Sequence, residues 1–318
     1  MPSSSRKGTT STSKIGFLGA GAAATALALA ARRRGLAVAA IWSPSGISAR
    51  ALARRCGKGT RAVSSPDEAA AASDLLILAV PDRAIVETAR RAAAGVRRGA
   101  LVVHLSGAAP LSDLAPLRRA GARIGGFHPI QTFPDRKGGA EKIEDSTVGI
   151  RGDARAAAEL RRLAAKLRMR ALRFPERGRI RYHAAAVMAS NLVVALMDLA
   201  VEELRASSGA SRAEALRALL PLLRGTVANL ARVGLPGALS GPIARGDGAT
   251  VAGHLSALSR RPSTDRVYRE LSARAVAMAL QRRTVAPAVA RSLRRLLASP
   301  IEGMHGRGRR GGAPSPDR

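Results

Sequence analysis

The first half of the chain alternates short, mostly apolar runs with helical patterns. Each apolar run is short and ends in turn residues, which is typical of buried parallel strands. The predicted strands are 15–18, 36–42, 75–80, 100–105, 147–151 and 169–174, and the helices predicted between them include 83–95, 110–120, 154–167 and an alanine-rich helix that ends at 34. This alternation predicts an α/β fold with a doubly wound, mostly parallel sheet.

The second half has a different pattern, because no strand-like run appears after about residue 178. Apolar residues recur there at helical spacing, which predicts an all-helical C-terminal domain. The predicted helices are 179–207, 211–232, 242–259, 263–280 and 285–297. We therefore expect a sheet domain at 14–176 and a helical domain at 177–300, with a disordered lead at 1–13 and a disordered basic tail at 301–318.

The apolar segment after residue 13 has two interpretations. KIGFLGAGAAATALALAARRR follows basic residues and has the outline of a secretory signal peptide. Its apolar part is shorter than the roughly 20 residues that a membrane span requires. The same residues also form a strand, a glycine turn and a helix, and a second strand follows within about 30 residues, the context of a dinucleotide-binding unit. We favour this Rossmann interpretation, which predicts a cytoplasmic protein that does not enter a membrane.

The charge and the cysteine content exclude several partners and kinds of site. The 318 residues hold 53 basic and 22 acidic side chains, a formal net charge of +31, so the surface attracts polyanions. Only 2% of the residues are aromatic, too few to stack nucleic-acid bases, so we expect non-specific polyanion binding but no specific nucleic-acid partner. The single cysteine, Cys56, excludes disulfides and cysteine metal clusters, and no His and acidic residues have metal-ligand spacing, so no metal is expected.

The glycine turn at 19–24 is the first candidate site. Its residues Gly19, Ala20, Gly21, Ala22, Ala23 and Ala24 fit the pattern G-x-G-x-x-A. Gly19 permits a tight turn, Gly21 lets backbone amides approach a pyrophosphate, and Ala24 permits close packing of helix on strand. The free amides and the positive dipole end of the following helix would then face the phosphates. The turn therefore predicts a bound dinucleotide.

The end of the second strand indicates which dinucleotide. A site for NAD usually places an acidic side chain about 20 residues after the glycines, where it binds the ribose hydroxyl. No acid follows Trp42; the chain offers Ser43, Ser45 and Arg50 instead. Hydroxyl and guanidinium groups suit a 2′-phosphate, so the sequence favours NADP over NAD.

Ligands of such sheets bind at the carboxyl ends of the strands. Three predicted strands end in polar or small residues, so their ends should form one rim beside the glycine turn. The rim residues expected to bind the cofactor are Val80, Pro81, Asp82, Ser106 and Gly107. His128 follows the next strand, where it either faces nicotinamide and substrate or positions the turn.

The helical half offers groups for chemistry on a substrate. His183 and Asn191 are eight residues apart and so share one helix face. His183 is either a proton donor that titrates near neutrality or a histidine that packs between helices. Arg245 suits a carboxylate or phosphate, and Asp247 either contacts substrate or caps a helix. We predict that His183, Asn191 and His128 are catalytic and that Arg245 and Asp247 bind substrate.

Several of these segments together resemble one family. The segments are Gly19–Gly21, Ala79–Asp82, His104–Gly107, Gly126–Pro129, Thr132-Phe133, Tyr182–Ala186, Ser190-Asn191, Gly241–Asp247 and His254-Leu255. They are similar to bacterial Rossmann-like proteins with a C-terminal helical domain of unknown function, which are labelled NADP oxidoreductases or a deazaflavin-dependent type. This branch of the 6-phosphogluconate dehydrogenase-like superfamily is akin to pyrroline-5-carboxylate reductase and ketopantoate reductase. The resemblance spans about residues 14–285.

The resemblance implies an NADP-dependent oxidoreductase that moves a hydride between nicotinamide and a small carbonyl or imine acid, with deazaflavin as another candidate co-substrate. Related enzymes carry a catalytic lysine four residues before the asparagine, where this chain has Val187. This departure keeps an alternative open, a non-catalytic NADP-binding regulatory or interaction protein with a basic surface. Residues 184–200 are almost wholly apolar, and relatives bury such helices in a two-fold dimer, so we expect a homodimer.

Overall fold

The computed structural model describes residues 13–137 and 139–299. The predicted tail 301–318, and the predicted lead 1–13 except for Ser13, lie outside the described residues. Contacts divide the chain into two compact units, one that ends at Val193 and one that begins at Val194. The boundary expected at 176/177 remains a prediction about the domains.

Unit 1, which ends at Val193, is built on one eight-stranded sheet. Its strands are β1 (Ile15–Leu18), β2 (Val38–Trp42), β3 (Arg61–Ala62), β4 (Leu75–Leu78), β5 (Leu101–His104), β6 (Arg123–Ile130), β7 (Thr147–Gly152) and β8 (Arg170–Arg173). Their order is β3-β2-β1-β4-β5-β6-β7-β8, and every neighbouring pair is parallel except β6 with β7. The chain therefore reverses its strand order beside β1, where such sheets bind their ligands.

The described residues of unit 1 also form eight α-helices. They are α1 (Ala22–Arg33), α2 (Ile47–Cys56), α3 (Pro66–Ala71), α4 (Ile85–Ala92), α5 (Ala115–Arg119), α6 (Ala140–Ile143), α7 (Ala154–Lys166) and α8 (Arg179–Ala189). The predicted helix 83–95 is a shorter α-helix with a 3₁₀ turn on each side, and the predicted helix 110–120 is a shorter α-helix that one 3₁₀ turn precedes. The pattern gave no sign of β3 or of the short helices α2, α3 and α6.

Two apolar layers form the core of unit 1, one on each face of the sheet. Side chains alternate along β1, so that Phe17 belongs to the layer with Leu27 whereas Leu18 belongs to the layer with Leu78. Successive side chains of a strand point to opposite faces of the sheet. Because both faces are buried, both sets of side chains are apolar, and the sequence of the strand is continuously apolar. The predicted fold class, a doubly wound and mostly parallel sheet followed by helices, is confirmed.

Unit 2 begins within α9 (Asn191–Ser208), and its described elements are helices. These are α10 (Arg212–Val233), α11 (Pro242–Arg245), α12 (Gly248–Leu258), α13 (Pro262–Gln281) and α14 (Pro287–Ala298). The helix expected over 242–259 is divided, because Gly246 adopts φ +74° and Asp247 caps a new helix at Gly248. The core of the unit lies among α11 to α14 and includes Val251, Val276 and Leu293.

The apolar segment formed by α8 and α9 is mostly uncovered. The helix expected over 179–207 is interrupted at Ser190, which leaves the helical conformation. α8 has no buried residue, and Val201 is the buried residue of α9. By length and composition alone, the helical segment 176–208 could also cross a membrane, although a helix at a protein interface has the same composition. The segment is therefore mostly exposed in the described part of the chain.

Candidate functional site

The glycine turn lies between β1 and α1. Gly19 has φ +111°, a conformation that favours glycine, and a Cβ there would collide with the carbonyl group of Ala79. Gly21 precedes α1 with an extended backbone, and a Cβ there would meet no atom within 4 Å. The first amides of α1 have no partner within the helix, and no side chain caps it. The turn therefore presents free amides to an open space, as the pyrophosphate of a dinucleotide requires.

The three residues after β2 that were expected to bind the cofactor differ in burial and in contacts. Ser43 is buried and its hydroxyl accepts a hydrogen bond from the Ala49 amide at 3.0 Å, so this side chain holds the start of α2. Ser45 and Arg50 are exposed. A Cβ added at Gly46 would lie 2.9 Å from a terminal nitrogen of Arg50, so the guanidinium covers the turn after β2. Arg50 thus lies beside the turn after β2, and its contact with the 2′-phosphate of NADP stays a prediction.

The ends of β4 and β5 are joined by polar side chains. The Ser106 hydroxyl donates to the Asp82 carboxylate at 2.7 Å, and accepts from the amides of Ala108 and Ala109 at 3.1 and 2.8 Å. Val80 and Pro81 precede Asp82 on the same turn. The predicted rim residues of these two strands therefore do lie together.

Gly107 and two of the predicted catalytic histidines form one cluster. β6 continues past the end of β5, because His104 pairs with Gly126 and His128 lies two residues further on. A Cβ at Gly107 would lie 2.7 Å from Nδ1 of His183 and 3.0 Å from Cε1 of His128. The two imidazole centroids are 6.1 Å apart. Glycine at 107 is thus required for the histidines to approach.

A cavity of about 600 Å³ lies beside this cluster. Its lining includes His128, His183, Val187 and Asn191, together with residues 130–134. The structure therefore brings the three predicted catalytic residues to one cavity, although Ser190 interrupts the helix between them. Val187, which stands where related enzymes carry a lysine, lines the same wall. The cavity can hold a small molecule against two imidazoles and an amide.

An aromatic pair that the sequence did not single out supports His128. The Tyr182 hydroxyl lies 2.7 Å from Nδ1 of His128, and the Tyr182 ring stacks on Phe174 with centroids 4.0 Å apart. Tyr182 was noted only as part of a family motif. Gly149, directly opposite His128 on β7, leaves the space that the Tyr182 ring fills. A glycine in the middle of an apolar strand was the signal that could have indicated this packing.

A buried arginine lies behind the histidines. Arg151 on β7 is 2% exposed, pairs with Glu176 at 2.8 Å, and donates to the carbonyl groups of Ser106 and Ala109 at 3.2 and 3.0 Å. The sequence analysis missed this residue, although an arginine inside an apolar strand is an unusual feature. Its contacts fix the loop that carries Ser106 and Gly107.

Burial changes the pKa values of His128 and Tyr182. Burial, together with the nearby His183 and the Arg151 guanidinium, lowers the pKa of His128 to about 4. Burial raises the pKa of Tyr182 to about 12. At neutral pH both side chains are therefore uncharged. A neutral His128 has one ring nitrogen that donates a hydrogen bond and one that accepts a hydrogen bond.

Arg245 and Asp247 lie in unit 2, near each other in sequence. Arg245 is exposed at the end of α11. The Asp247 carboxylate accepts from the amide and hydroxyl of Thr250 at 3.0 and 2.6 Å, and these hydrogen bonds hold the pKa of Asp247 below its usual value. Of the two roles left open for Asp247, the helix cap is present. The substrate-binding role of both residues stays a prediction.

Comparisons with known proteins find two domain families in the chain. Residues 1–129 match a Rossmann-like domain, and residues 146–275 match a domain of unknown function, DUF2520. A comparison with curated proteins found no match. Within residues 13–137 and 139–299, no group of three or more His, Cys, Asp or Glu side chains could hold a metal ion.

Solved structures share the fold over most of the chain. A candidate NADP oxidoreductase of Bacteroides fragilis is 26% identical, with a TM-score of 0.66 over 89% of this chain and 98% of that protein. The protein TM1727 of Thermotoga maritima is 24% identical, with a TM-score of 0.68 over 85% and 99%. A pyrroline carboxylate reductase of Plasmodium falciparum, solved with NADP, is 14% identical, with a TM-score of 0.54 over 90% and 98%. The resemblance predicted from the sequence motifs is confirmed.

Proposed function

Because the chain combines a Rossmann-like domain with a DUF2520 domain, we propose that it is an NADP-dependent oxidoreductase. In this proposal it acts on a small carbonyl or imine substrate in the cavity lined by His128, His183 and Asn191. The observation that carries the proposal is this shared cavity at the carboxyl ends of the strands. The name of the Bacteroides fragilis relative supports the same class of reaction.

The residues present fit a bound dinucleotide. The open space before Gly21 and the uncapped start of α1 would receive the pyrophosphate, while Arg50 would contact the 2′-phosphate. Asp82 and Ser106 would lie along the rim beside it. When bound, the cofactor supplies or accepts a hydride. The absence of an acid after Trp42 favours NADP over NAD.

The cavity residues would supply binding and proton transfer. His128 and Asn191 offer hydrogen bonds that hold a carbonyl or imine group. His183 would donate a proton to the oxygen or nitrogen that becomes negative during reduction, and would take it back in the reverse direction. In this assignment His183 takes the role of the lysine in related enzymes, because Val187, at the lysine position, has no group that can donate a proton. Arg245 would bind the acid group of the substrate, and Asp247 would order the turn beside it.

The active form in this proposal is a cytoplasmic homodimer. Val194 on α9 and Leu222 on α10 of unit 2 are 71% and 69% exposed, and Met188 on α8 of unit 1 is 65% exposed. So many exposed large apolar side chains are unusual on a monomer and support an interaction site on these helices. A second copy of the chain would present the same helices, so a two-fold contact would cover both surfaces.

A thermal-shift experiment with NADP, NAD and a deazaflavin tests the cofactor. NADP should raise the melting temperature by mass action, and NAD should raise it less. In Gly21→Leu the side chain would fill the pyrophosphate space, so affinity should fall at least about 100-fold, or roughly 2.8 kcal/mol. This variant should fold, because the backbone at residue 21 is extended and its Cβ is free of contacts.

Activity is then tested by NADPH oxidation with keto acids and imino acids. Turnover with any of them supports the oxidoreductase. A protein that binds NADP but is inert with the whole panel is the non-catalytic alternative. Failure of NADP to bind the parent protein, or equal binding to Gly21→Leu, would overturn the proposal.

A further inference from the structure

We propose that Tyr182 is a positioning residue that holds His128 in one tautomer, with Nδ1 as hydrogen-bond acceptor and Nε2–H as a donor toward the cavity. The juxtaposition that carries this inference is the 2.7 Å contact between the Tyr182 hydroxyl and Nδ1. His128 lines the cavity, and Nε2 has no hydrogen-bond partner among residues 13–137 and 139–299.

The direction of this hydrogen bond follows from the partners available. Either Nδ1–H donates to the phenol oxygen or the phenol O–H donates to Nδ1. In the described part of the chain the Tyr182 hydroxyl has no acceptor other than His128. If the histidine donated, the phenol hydrogen would be left without a partner in a half-buried site, which costs free energy.

The fold holds the Tyr182 ring in place from two sides. Phe174 stacks on the ring with an interplanar angle of 21°, and the Arg151 guanidinium lies 5.7 Å from the Phe174 centroid. On β7, Gly149 pairs with His128, and a Cβ at residue 149 would collide with the Tyr182 hydroxyl. The phenol and imidazole rings meet edge to face, with centroids 5.6 Å apart. The hydroxyl therefore reaches Nδ1 only because residue 149 has no side chain.

The tautomer defines what His128 can do in the cavity. A neutral Nε2–H donates a hydrogen bond to a carbonyl oxygen, whereas a bare Nε2 would repel it. A neutral donor of this kind polarises a carbonyl without giving up its proton. The catalytic part of this inference rests on the proposed function, and it assigns different roles to the two histidines: His128 orients and polarises the substrate, and His183 transfers the proton.

The tautomer can be measured without cofactor or substrate. The chain has five histidines, so selective ¹⁵N labelling and long-range ¹H–¹⁵N spectra resolve their rings, and His128→Asn identifies the His128 signals. In the parent protein, Nδ1 of His128 should be unprotonated and Nε2 protonated at pH 7. A protonated Nδ1 would overturn the proposal, whatever the outcome of the activity assays.

Two variants test the positioning role. In Tyr182→Phe the donated hydrogen bond is lost, and with it a stabilisation of neutral His128. The His128 pKa should then rise by about 0.5–1 unit, the size expected for one neutral hydrogen bond. The groups that otherwise act on this titration are His183 of α8, Arg151 of β7 and Asp82 after β4, and both variants leave them unchanged. Gly149→Ala should shift His128 in the same direction, because it displaces the hydroxyl without removing it.

The chain provides a matched control. Its other tyrosine, Tyr268, makes the same kind of contact in unit 2, with its hydroxyl 2.8 Å from Nδ1 of His254. Tyr268→Phe should therefore shift the His254 signals and leave those of His128 unchanged. If Tyr182→Phe leaves the tautomer and titration of His128 as in the parent, Tyr182 is only a packing residue and the proposal is wrong.

Kinetics distinguish positioning from loss of fold once a substrate is found. Tyr182→Phe should lower kcat about 10-fold and change KM for NADPH little, since the glycine turn is untouched. The acidic limb of the pH–rate profile should move with the His128 titration. An unchanged kcat with an altered tautomer would refute the catalytic part alone.

Discussion

The two units bury their apolar residues to very different extents. The central strands β1, β4 and β5 of unit 1 are buried on both faces, and the largest apolar side chains of this unit's core are enclosed. In unit 2, α10 is a 22-residue helix whose buried residue is Ala215, and most of the exposed large apolar side chains of the described residues belong to this unit. Apart from α8, unit 1 thus buries most of its large apolar side chains within the chain, whereas α9 and α10 of unit 2 leave most of theirs at least partly exposed.

From this difference we infer that the two units have different roles. The glycine turn, the rim and the histidine cavity all belong to unit 1, where packing can fix side chains such as Arg151. The proposed substrate-binding residues Arg245 and Asp247 lie in unit 2, at or near its surface. We therefore expect changes in unit 1 to affect chemistry and changes in unit 2 to affect binding and assembly.

The largest expected effect separates chemistry from binding. His183→Ala should lower kcat by about 10²–10⁴, the usual contribution of a positioned proton donor. Arg245→Ala should instead raise KM for an acid substrate, by about 10-fold or more, with a smaller change in kcat. His183→Gln keeps a hydrogen-bonding group and serves as the control for packing. Parent-like turnover of both alanine variants would remove these residues from the site.

Acid should destabilise unit 1 selectively. His104 and His128 are buried there, and burial is the main cause that lowers the pKa of each to about 4, below the ordinary 6.5. Between these values the unfolded chain binds more protons, so the free energy of unfolding is highest above pH 6.5 and falls as the pH drops toward 4. We expect a loss of about 2 kcal/mol per histidine between pH 6.5 and 5.

Urea unfolding at several pH values measures this loss. His128→Gln should show roughly half the pH dependence of the parent. The histidine of unit 2 within the described residues, His254, is exposed, so the unfolding of unit 2 should not follow the same curve. A stability that is constant from pH 6.5 to 5 would contradict the burial argument.

The sequence predicted unit 1 better than the contacts inside it. Strand runs such as 75–78 are buried on both faces and therefore consist of apolar residues, a signal that is visible in the chain itself. The glycine turn has a fixed pattern because its backbone must be free of side chains. Gly107 contacts His128 and His183 because β6 extends past the end of β5. The spacing of these residues along the chain does not predict how far one strand extends past the other.

The missed residues belong to networks between distant segments. Arg151 is stabilised by Glu176 and by carbonyl groups some 40 residues away, and Tyr182 by Phe174 and His128. No local periodicity reports such pairs. In unit 2 the apolar pattern of α9 predicted burial, but the chain alone does not supply the surface that would bury it. The same kind of apolar pattern therefore corresponds to a buried core in unit 1 and to an exposed surface on α9 of unit 2.

The next prediction tests that assembly with two matched variants. Val194 and Ile47 are 71% and 66% exposed, one on α9 and the other on α2 of unit 1. Val194→Glu should weaken dimerisation at least about 10-fold, because a buried carboxylate without a partner opposes association. Ile47→Glu should leave the dimer intact. Size-exclusion chromatography with light scattering over a range of concentrations measures both.

A parent protein that is monomeric at micromolar concentration would contradict the homodimer. Association of the parent with lipid vesicles, lost in Val194→Glu, would instead identify the helical segment 176–208 as a membrane contact. If Val194→Glu and Ile47→Glu dimerise equally well, the contact lies on another surface.

The smallest expected effect tests whether the two units unfold separately. Asp153 caps α7 in unit 1 by accepting from the Ala156 amide, and Ser211 forms a capping box with Glu214 at the start of α10 in unit 2. Replacing either cap with alanine should lower the stability of its own unit by about 1 kcal/mol.

Asp153→Ala should shift a transition that does not depend on protein concentration. Ser211→Ala should shift one that moves to higher denaturant as concentration rises, because a dimer stabilises unit 2 by mass action. A single transition that both variants shift equally would mean that the units unfold as one, and that the contrast between them concerns their surfaces and not their stability.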